Sequence, residues 1–492
     1  MSQIIYNSTV NLSAKRDAFP YQVQAFEAIK DLPYSAIFHE QGLGKTKIAV
    51  DLLLYWLENR DIDTILIVTK KQLVKNWVDE LKFHTHIRPV VISSNKRDNY
   101  HVLNSTTRLI IANFEAITTD FKRIKFFVQN RDVAIIIDES TKLKNPEAKL
   151  TKVFFEIAPY FKIRTIMTGT PVANRPYDIW AQVYFLDGGA SLGTDFASFK
   201  TTTDLGNNFG EESEARETFE TSVASIFDKI RHFSVRETKR SCAIELPNKT
   251  YETIIVTPEP VQLSMYEQVM RELIIEVQKE GKAYLDDSSV ALKRLLRLTQ
   301  LASNPRLLDE GYSIESGKER ALDDLLRDIM SKQDKCIVWS NFIENVDYFT
   351  KKYKKWGARK IHGKMCIEDR NRSVSKFKEE EQCKILFATP QAAKEGLTLT
   401  VANRVIFYDR GFNLDDYLQA QDRIHRISQT KPCFVYNLIM RSSVDEWIDK
   451  LLEAKQYAAF LTQGDLDIEE YRKVANYSYG EIIKDILQAN NY

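Results

Sequence analysis

Short apolar runs recur along the chain in two series, and they constrain the fold more than any other feature of the sequence. The runs are rich in valine, isoleucine and leucine, and stretches of helical period separate them. Continuous apolar runs of this length predict parallel strands that are buried on both faces. Two α/β layers, each with its own sheet, are therefore predicted. The first series comprises residues 64–68, 108–112, 133–138 and 163–168, and the second comprises residues 335–340, 384–389, 403–409 and 434–439.

The region between the two series, residues 188–333, has a different character. It holds few strand-like runs apart from residues 250–257, and leucines recur at helical spacing between Leu292 and Leu301. This pattern predicts helical insertions. We expect a first lobe at residues 1–187, a helical insertion and linker at 188–245, a second lobe at 246–455 with its own insertion at about 260–317, and a C-terminal helical extension at 456–492.

Composition excludes several classes of protein. Hydrophobic residues make up 43% and charged residues 28% of the 492 positions, which is typical of a globular protein and not of a disordered one. The five cysteines form no CxxC pair, so they are interpreted as small core residues in a reducing compartment. No apolar segment is long enough for a membrane span or placed as in a signal peptide, so a cytoplasmic location is expected.

A glycine-rich segment, HEQGLGKT at residues 39–46, follows an apolar patch and precedes a helical pattern. This order is typical of a phosphate-binding loop, in which glycines allow the backbone to approach an anion at a helix N-terminus. Lys45 would reach the β- and γ-phosphates of a nucleotide, and the Thr46 hydroxyl would ligate Mg²⁺. His39 replaces the first glycine of the longer form of the motif. The predicted nucleotide-binding residues of the loop are Gln41, Gly42, Leu43, Gly44, Lys45 and Thr46.

Two adjacent carboxylates, Asp138 and Glu139, end the apolar run at residues 133–138. Asp138 would hold Mg²⁺, and Glu139 would take a proton from the attacking water. A solvated acidic strand end is the alternative interpretation. The segment TGTP at residues 168–171 also follows a predicted strand, and its hydroxyls would sense the phosphate site; a plain turn explains it equally well.

Two arginines stand three residues apart in the segment QAQDRIHRISQ, residues 419–429. On a helix, Arg423 and Arg426 would project from one face and would meet a triphosphate that another domain holds. Guanidinium groups stabilise the transition state of phosphoryl transfer. The alternative is a solvated basic helix turn in which Arg426 pairs with a nearby acid.

The order of these motifs resembles the superfamily-two helicase-fold ATPases, and within them the Swi/Snf family of double-stranded DNA translocases. The resemblance runs from about Phe19 to Lys455. It rests also on segments that carry less chemistry, including TKKQLVKNWVDEL, SVRETKRSCAIELPNK and RLTQLASNPRLL, at residues 69–81, 234–249 and 297–308. The resemblance implies a fold of two tandem RecA-like P-loop lobes, with parallel sheets flanked by helices and helical insertions.

The resemblance also implies a set of ligands and site residues. ATP and Mg²⁺ are the expected cofactors, and Gln22, Gly396 and Gln419 would join the glycine-rich loop around the nucleotide. The expected partner is the phosphate backbone of duplex DNA, with little base readout. A protein partner is expected to supply targeting. The predicted DNA contacts are Lys70, Lys71, Lys75, Asn76, Thr170, Asn341, His362, Arg370 and Thr389.

The sequence departs from the family pattern at some positions. DESTKLKN, residues 138–145, resembles the family's DEAHxxKN, but Thr141 stands at the histidine and Phe412 at the tryptophan of a later motif. The coupling between nucleotide and DNA is therefore where this chain is expected to differ. A strand-separating helicase and a non-catalytic scaffold remain as alternatives. The minimal domain layout resembles that of bacterial or viral members of the family. The protein is therefore expected at the nucleoid or in the cytoplasm of a host cell.

The charge balance alone indicates no nucleic-acid partner, because the net charge is +1. Residues 1–187 nevertheless carry 25 basic and 20 acidic side chains. A motor that steps along a duplex needs a local basic surface that contacts DNA, and it does not need a high net positive charge. The sequence therefore predicts a basic strip along a cleft between the lobes.

Overall fold

The computed structural model describes residues 11–93, 96–204, 213–242, 246–280, 289–393, 397–426 and 428–474. These residues form two compact units. The first unit contains the described parts of Met1–Asp204, Glu217–Ile244 and Ala459–Ile468. The second contains the described parts of Leu205–Arg216, Glu245–Ala458 and Glu469–Tyr492.

A parallel sheet forms the centre of the first unit. Within the described residues its strand order is β3-β4-β2-β5-β6-β1-β7, and neighbouring strands run parallel. The strands are β1 (Tyr34–Ile37), β2 (Thr64–Thr69), β3 (Val90–Ile92), β4 (Leu109–Asn113), β5 (Val133–Asp138), β6 (Ile163–Met167) and β7 (Ser234–Val235).

Burial on both faces explains the continuous apolar runs of this sheet. In β5, Ile135 and Ile137 belong to one core cluster, whereas Ala134 and Ile136 belong to the cluster on the opposite face. Successive side chains of a strand point to opposite faces, so both faces need apolar residues. The carboxyl ends of these strands meet at one edge, where ligands bind in open α/β sheets.

A second parallel sheet forms the centre of the second unit. Its strand order among the described residues is β10-β11-β9-β12-β13-β8, again with parallel neighbours. Ile337 and Val405 face one core cluster, and Val338 and Ile406 face the other. The strands are β8 (Lys249–Val256), β9 (Cys336–Trp339), β10 (Arg359–Ile361), β11 (Ile385–Ala388), β12 (Arg404–Phe407) and β13 (Cys433–Met440).

Helices flank both sheets. Those before β8 are α1 (Pro20–Ile29), α2 (Lys45–Asn59), α3 (Val74–His84), α4 (Lys96–Leu103), α5 (Phe114–Thr119), α6 (Phe121–Gln129), α7 (Lys149–Ile157), α8 (Trp180–Asp187), α9 (Phe196–Thr203) and α10 (Ser213–Ile230). Those after β8 are α11 (Pro260–Glu280), α12 (Ser289–Ser303), α13 (Gly317–Ser331), α14 (Ile343–Lys352), α15 (Ile367–Glu379), α16 (Pro390–Ala393), α17 (Leu414–Gln421), α18 (Val444–Thr462) and α19 (Ile468–Val474). Short 3₁₀ segments lie at Lys71–Leu73, Ser140–Leu143, Ala158–Tyr160, Pro176–Ile179, Pro305–Leu307 and Lys354–Trp356. No helix of the described chain is long and apolar enough to cross a lipid bilayer.

A separate helical core lies in the second unit. Tyr266 and Leu273 of α11 pack in one cluster with Leu298 and Leu301 of α12 and with Trp447 of α18. The predicted fold class, two α/β lobes with parallel sheets flanked by helices, is confirmed. The domain boundaries given above stay predictions.

Candidate active site

The glycine-rich loop lies between β1 and α2, as the sequence predicts. Gly42 and Gly44 both have left-handed backbones, with φ angles of 89° and 69°. Gly44 precedes the first residue of α2, Lys45. The first N–H groups of a helix have no intrahelical acceptor, so they are available to an anion. The backbone therefore fits a phosphate group at this helix N-terminus.

Helix α1 is bound to this loop through Gln22. The Gln22 Nε2 donates to the carbonyl oxygen of Leu43 at 3.1 Å, and its Oε1 accepts from the N–H of Phe19 at 2.9 Å. The Lys45 ammonium donates to the carbonyl oxygens of His39 at 2.9 Å and Glu40 at 3.3 Å. Gln22 thus supports the loop, and its contact with the nucleotide stays a prediction.

The predicted TGTP segment lies against the glycine-rich loop. A Cβ atom at Gly169 would lie 2.4 Å from Cγ of Gln41 and 3.2 Å from Nζ of Lys45. Contacts this short exclude any side chain at position 169 unless the loop moves. Glycine therefore lets the residues after β6 approach the candidate phosphate site.

The carboxylate of Asp138 is half-buried at the end of β5. The sheet register pairs Val68 of β2 with Ile137 of β5. The next residues, Thr69 and Asp138, therefore lie side by side at the carboxyl ends of the two strands. Asp138 Oδ2 accepts from Thr69 Oγ1 at 3.1 Å and from Trp77 Nε1 at 2.8 Å. Burial, and then the charge of Glu139, raise the pKa of Asp138 despite these hydrogen bonds. Two adjacent, half-buried carboxylates favour a bound cation.

Glu139 stands next to Asp138 in an unusual backbone conformation. Its φ angle is 55°, in the left-handed region that non-glycine residues rarely adopt. Such conformations cluster at functional sites because the surrounding structure must enforce them. The Glu139 Oε2 lies 3.4 Å from the ammonium of Lys70, which follows β2. The predicted general base is therefore paired with a residue predicted to contact DNA.

A second polar contact joins the carboxylate segment to the TGTP loop. The Ser140 hydroxyl donates to Gln182 Oε1 at 2.7 Å, and Gln182 Nε2 donates to the Pro171 carbonyl at 2.8 Å. Gln182 is fully buried in α8, and Thr141 is also buried. A hydrogen-bonded bridge thus connects the two segments next to the position where the family histidine is replaced.

Three residues of this site were not predicted: Thr69, Trp77 and Gln182. A signal existed for two of them. A buried indole N–H needs an acceptor, and Trp77 lies inside the segment 69–81 that carries the family resemblance. A glutamine within the apolar run WAQVYFL must satisfy its amide inside the protein. Only the strand order reveals the partners.

The predicted DNA contacts of the first unit fall into two groups. Lys71, Lys75 and Asn76 are exposed. Lys70 is half-buried against Glu139. Thr170 is buried, and its N–H lies 3.2 Å from the Thr168 hydroxyl.

The prediction that Arg423 and Arg426 project from one helix is wrong. Helix α17 ends at Gln421. The carbonyl of Arg423 accepts from the N–H of Leu399 at 3.0 Å, and the carbonyl of Ile424 accepts from the Gln429 side chain at 2.8 Å. Both carbonyls thus accept hydrogen bonds that do not belong to a helix, and the helix does not continue to Arg426.

The two arginines are held by contacts within the second unit. Arg423 is 2% exposed, and a guanidinium nitrogen lies 3.5 Å from Gln419 Oε1. Arg426 donates to the Thr398 hydroxyl at 2.8 Å and to the Asp422 carbonyl at 3.2 Å. These contacts fix the guanidinium of Arg426 on a turn after α17.

The predicted DNA contacts of the second unit also have partners. Asn341 Nδ2 donates to the buried Asp409 carboxylate at 3.1 Å. His362 is 5% exposed, with Nε2 3.2 Å from Asp347, and burial lowers its pKa. The Arg370 guanidinium donates to backbone carbonyls of its own turn. The remaining predicted residues are Thr389, which is buried, and Gly396, which lies outside the described residues.

Magnesium bound with a nucleotide fits the donor set of the first unit. No group of three or more His, Cys, Asp or Glu side chains in the described residues would hold a metal alone. Mg²⁺ typically keeps several waters and takes one or two protein ligands together with phosphate oxygens. The half-buried carboxylate of Asp138 and the hydroxyl of Thr46 match this requirement.

Substitution of Gly44 tests the loop conformation. We expect Gly44→Ala to weaken ATP binding by about tenfold or more, equivalent to about 1.4 kcal/mol, because the added Cβ would lie 2.3 Å from Gln22 Nε2. Calorimetric titration with ATP measures the effect. Gly188→Ala is the matched control, since its φ angle is 67° and no atom lies within 4 Å of the added Cβ. Both variants should lose about 1–2 kcal/mol of stability; equal ATP affinities for the two would contradict the prediction.

We expect His39 to make the stability of the first unit dependent on pH. Burial, and then the charge of Lys45, lower the pKa of His39 to about 4. The unfolded chain binds this proton at a pKa of about 6.5, so the free energy of unfolding should fall by about 2 kcal/mol between pH 7 and pH 5. Urea unfolding of the wild type and of His39→Gln at both pH values measures this contribution. The variant should lose less stability at pH 5, and an unchanged pH dependence would exclude His39 as the cause.

Comparison with known proteins agrees with this geometry. The family model of the SNF2-related domain matches residues 34–307, and that of the helicase conserved C-terminal domain matches residues 317–428. An ATP-dependent helicase of Mycoplasma pneumoniae, named as uncharacterized, is 28% identical over 85% of this chain and 39% of its own length. The chromatin structure-remodeling complex subunit snf21 of Schizosaccharomyces pombe is 26% identical over 85% of this chain and 36% of its own length.

The SWI2/SNF2 ATPase core of Sulfolobus solfataricus in complex with dsDNA is 24% identical, with a TM-score of 0.43, over 95% of this chain and 98% of that chain. The present chain spans about two fifths of the length of the curated relatives named above. The SNF2-related model alone covers more than half of the chain and includes the glycine-rich loop, the carboxylate pair and the TGTP segment. The predicted family is therefore confirmed, and the chain belongs to the SNF2-related family of helicase-fold proteins.

Proposed function

We propose that this chain is a DNA-dependent ATPase that translocates on double-stranded DNA and remodels protein–DNA complexes or branched DNA. One observation carries the proposal. The segment Thr69–Trp77 contacts both carboxylates of the candidate site through Thr69, Lys70 and Trp77. The same segment exposes side chains suited to phosphate contacts, namely Lys71, Lys75 and Asn76. Nucleotide chemistry and a DNA-facing surface would thus share one short segment.

The residues of the first unit would divide the chemistry of hydrolysis among them. The loop N–H groups and Lys45 would bind the phosphates of ATP, and Glu139 would accept the proton of the attacking water. Mg²⁺, when held by Thr46 and Asp138, would neutralise the charge that develops on the phosphate oxygens. Arg423 and Arg426 of the second unit would stabilise the same charge when the lobes close.

Duplex DNA would be gripped through its phosphates. Asn341, His362, Arg370 and Thr389 would add contacts from the second unit to those of the first. Phosphate contacts release counterions, so DNA affinity should fall steeply with salt and depend little on sequence. Repeated closure would then move the lobes along the duplex.

Strand separation is less well supported than translocation. All strand pairings found among the described residues are parallel, so these residues contain no β-hairpin that would act as a wedge. A non-catalytic scaffold would have no need of a carboxylate with a raised pKa beside a second carboxylate.

The nucleic-acid dependence of ATP hydrolysis tests the proposal. The rate should be measured with no nucleic acid, single-stranded DNA, duplex DNA, branched DNA and RNA, at two salt concentrations. Duplex or branched DNA should stimulate most, and higher salt should weaken the stimulation. Hydrolysis that RNA alone stimulates, or no hydrolysis with any of these, would overturn it.

A further inference from the structure

We infer that Lys70 restrains Glu139 until a phosphate of duplex DNA binds the lysine ammonium. Lys70 is then a positioning residue for DNA-stimulated hydrolysis. This inference rests on the proposed function and deepens it. It assigns to Lys70 a contact with a catalytic carboxylate in addition to the predicted contact with DNA phosphate. The two contacts would be made alternately by the same ammonium.

The sheet register places the two residues side by side. β2 and β5 are parallel neighbours in which Val68 pairs with Ile137. Lys70 and Glu139 are the first residues after the ends of β2 and β5, each two positions beyond this pair. The Lys70 Nζ lies 3.4 Å from Glu139 Oε2, and both side chains are 18% exposed. The ion pair therefore follows from the strand order.

The ion pair with Lys70 involves Glu139 Oε2, an oxygen that would accept the proton if Glu139 is the general base. Within the described residues, Glu139 Oε2 accepts no hydrogen bond, although it is buried. The ammonium of Lys70 is thus its principal polar neighbour. An ammonium beside this carboxylate competes with a water molecule for the acceptor oxygen. Hydrolysis should be slow while the pair persists.

A phosphate group of DNA would compete with Glu139 for the ammonium of Lys70 and so separate the ion pair. Lys70 begins the segment that exposes Lys71, Lys75 and Asn76. A lysine carries its charge on a flexible stem, so the ammonium can change partners while the backbone stays in place. The other end of the segment is fixed, because Trp77 is buried and donates a hydrogen bond to Asp138. A phosphate bound to this segment would therefore draw the ammonium away from Glu139 without moving Asp138.

Removing the Lys70 charge tests the inference. We expect Lys70→Met to raise the DNA-free ATPase rate about fivefold, the effect of a partly exposed ion pair, and to lower the ratio of DNA-stimulated to DNA-free rates. Lys70→Arg, which keeps the charge, should restore a low DNA-free rate. Lys82→Met is the matched control, since Lys82 is exposed on α3 and lies outside the site. It should match the wild type.

The outcomes separate this inference from the proposed function. If the wild type shows no DNA-stimulated hydrolysis, the proposed function fails. If the wild type is stimulated by DNA but Lys70→Met keeps or lowers the DNA-free rate, the restraint by Lys70 is excluded and the proposed function stands. A misfolded Lys70→Met protein would lose its circular-dichroism melting transition, and in that case the DNA-free rate of Lys70→Gln decides between the same two results.

Discussion

Replacing Glu139 with glutamine is expected to preserve ATP binding and to lower the hydrolysis rate by about 10²–10⁴-fold, the usual contribution of a general base. Glutamine has the shape of glutamate but accepts no proton. Thr69 and Trp77 hold the Asp138 carboxylate independently of the residue 139 side chain, so the substitution should not displace Asp138. ATP affinity by calorimetry and steady-state hydrolysis with duplex DNA measure the two effects separately.

Lys45→Ala provides the contrast to that variant. The Lys45 ammonium lies at the glycine-rich loop, where it contacts backbone carbonyls and approaches Gly169. Its removal should abolish turnover through loss of phosphate binding. The Glu139→Gln variant should still bind ATP. Turnover near the wild-type rate in either variant would contradict the assignment of this site.

Replacing Arg426 with alanine is expected to lower kcat by about 10³-fold or more with little effect on ATP affinity, as for arginines that stabilise phosphoryl-transfer transition states. Arg426 is not on a helix, but its guanidinium is fixed by the Thr398 hydroxyl and the Asp422 carbonyl. Steady-state kinetics with saturating duplex DNA provide kcat and KM.

Thr398→Val is the control for Arg426→Ala. It removes the hydroxyl that accepts from Arg426 and keeps the guanidinium. If Arg426 acts on ATP, the valine variant should retain most of the wild-type kcat, because the Asp422 carbonyl still holds the guanidinium. Equal losses in the two variants would show that Arg426 serves only to hold its own turn together.

The strands that form the two sheets could be predicted where they are long and buried on both faces. The apolar run at residues 133–138 coincides with β5 at both ends. Alternate side chains of this strand enter the core clusters on opposite faces of the sheet, so every position is apolar until Asp138. Three short strands, β3, β7 and β10, were not predicted. Strands of two or three residues carry too few side chains to form a pattern, and their place is decided by pairing with a longer neighbour.

The candidate site could be predicted in part for the same reason. Gly44, Lys45 and Asp138 are local signals at strand ends. The ion pair of Lys70 with Glu139 depends on the adjacency of β2 and β5, which no local pattern contains. The end of α17 before Arg423 depends on tertiary acceptors and donors, and helical spacing alone therefore predicted a helix there incorrectly.

Displacement of a third strand from a DNA triplex tests the central claim, translocation on duplex DNA, most directly. Wild-type protein with ATP should displace the third strand, Glu139→Gln should not, and a forked duplex should stay paired under the same conditions. ATP-dependent unwinding of the fork, or retention of the third strand while duplex DNA stimulates hydrolysis, would contradict translocation.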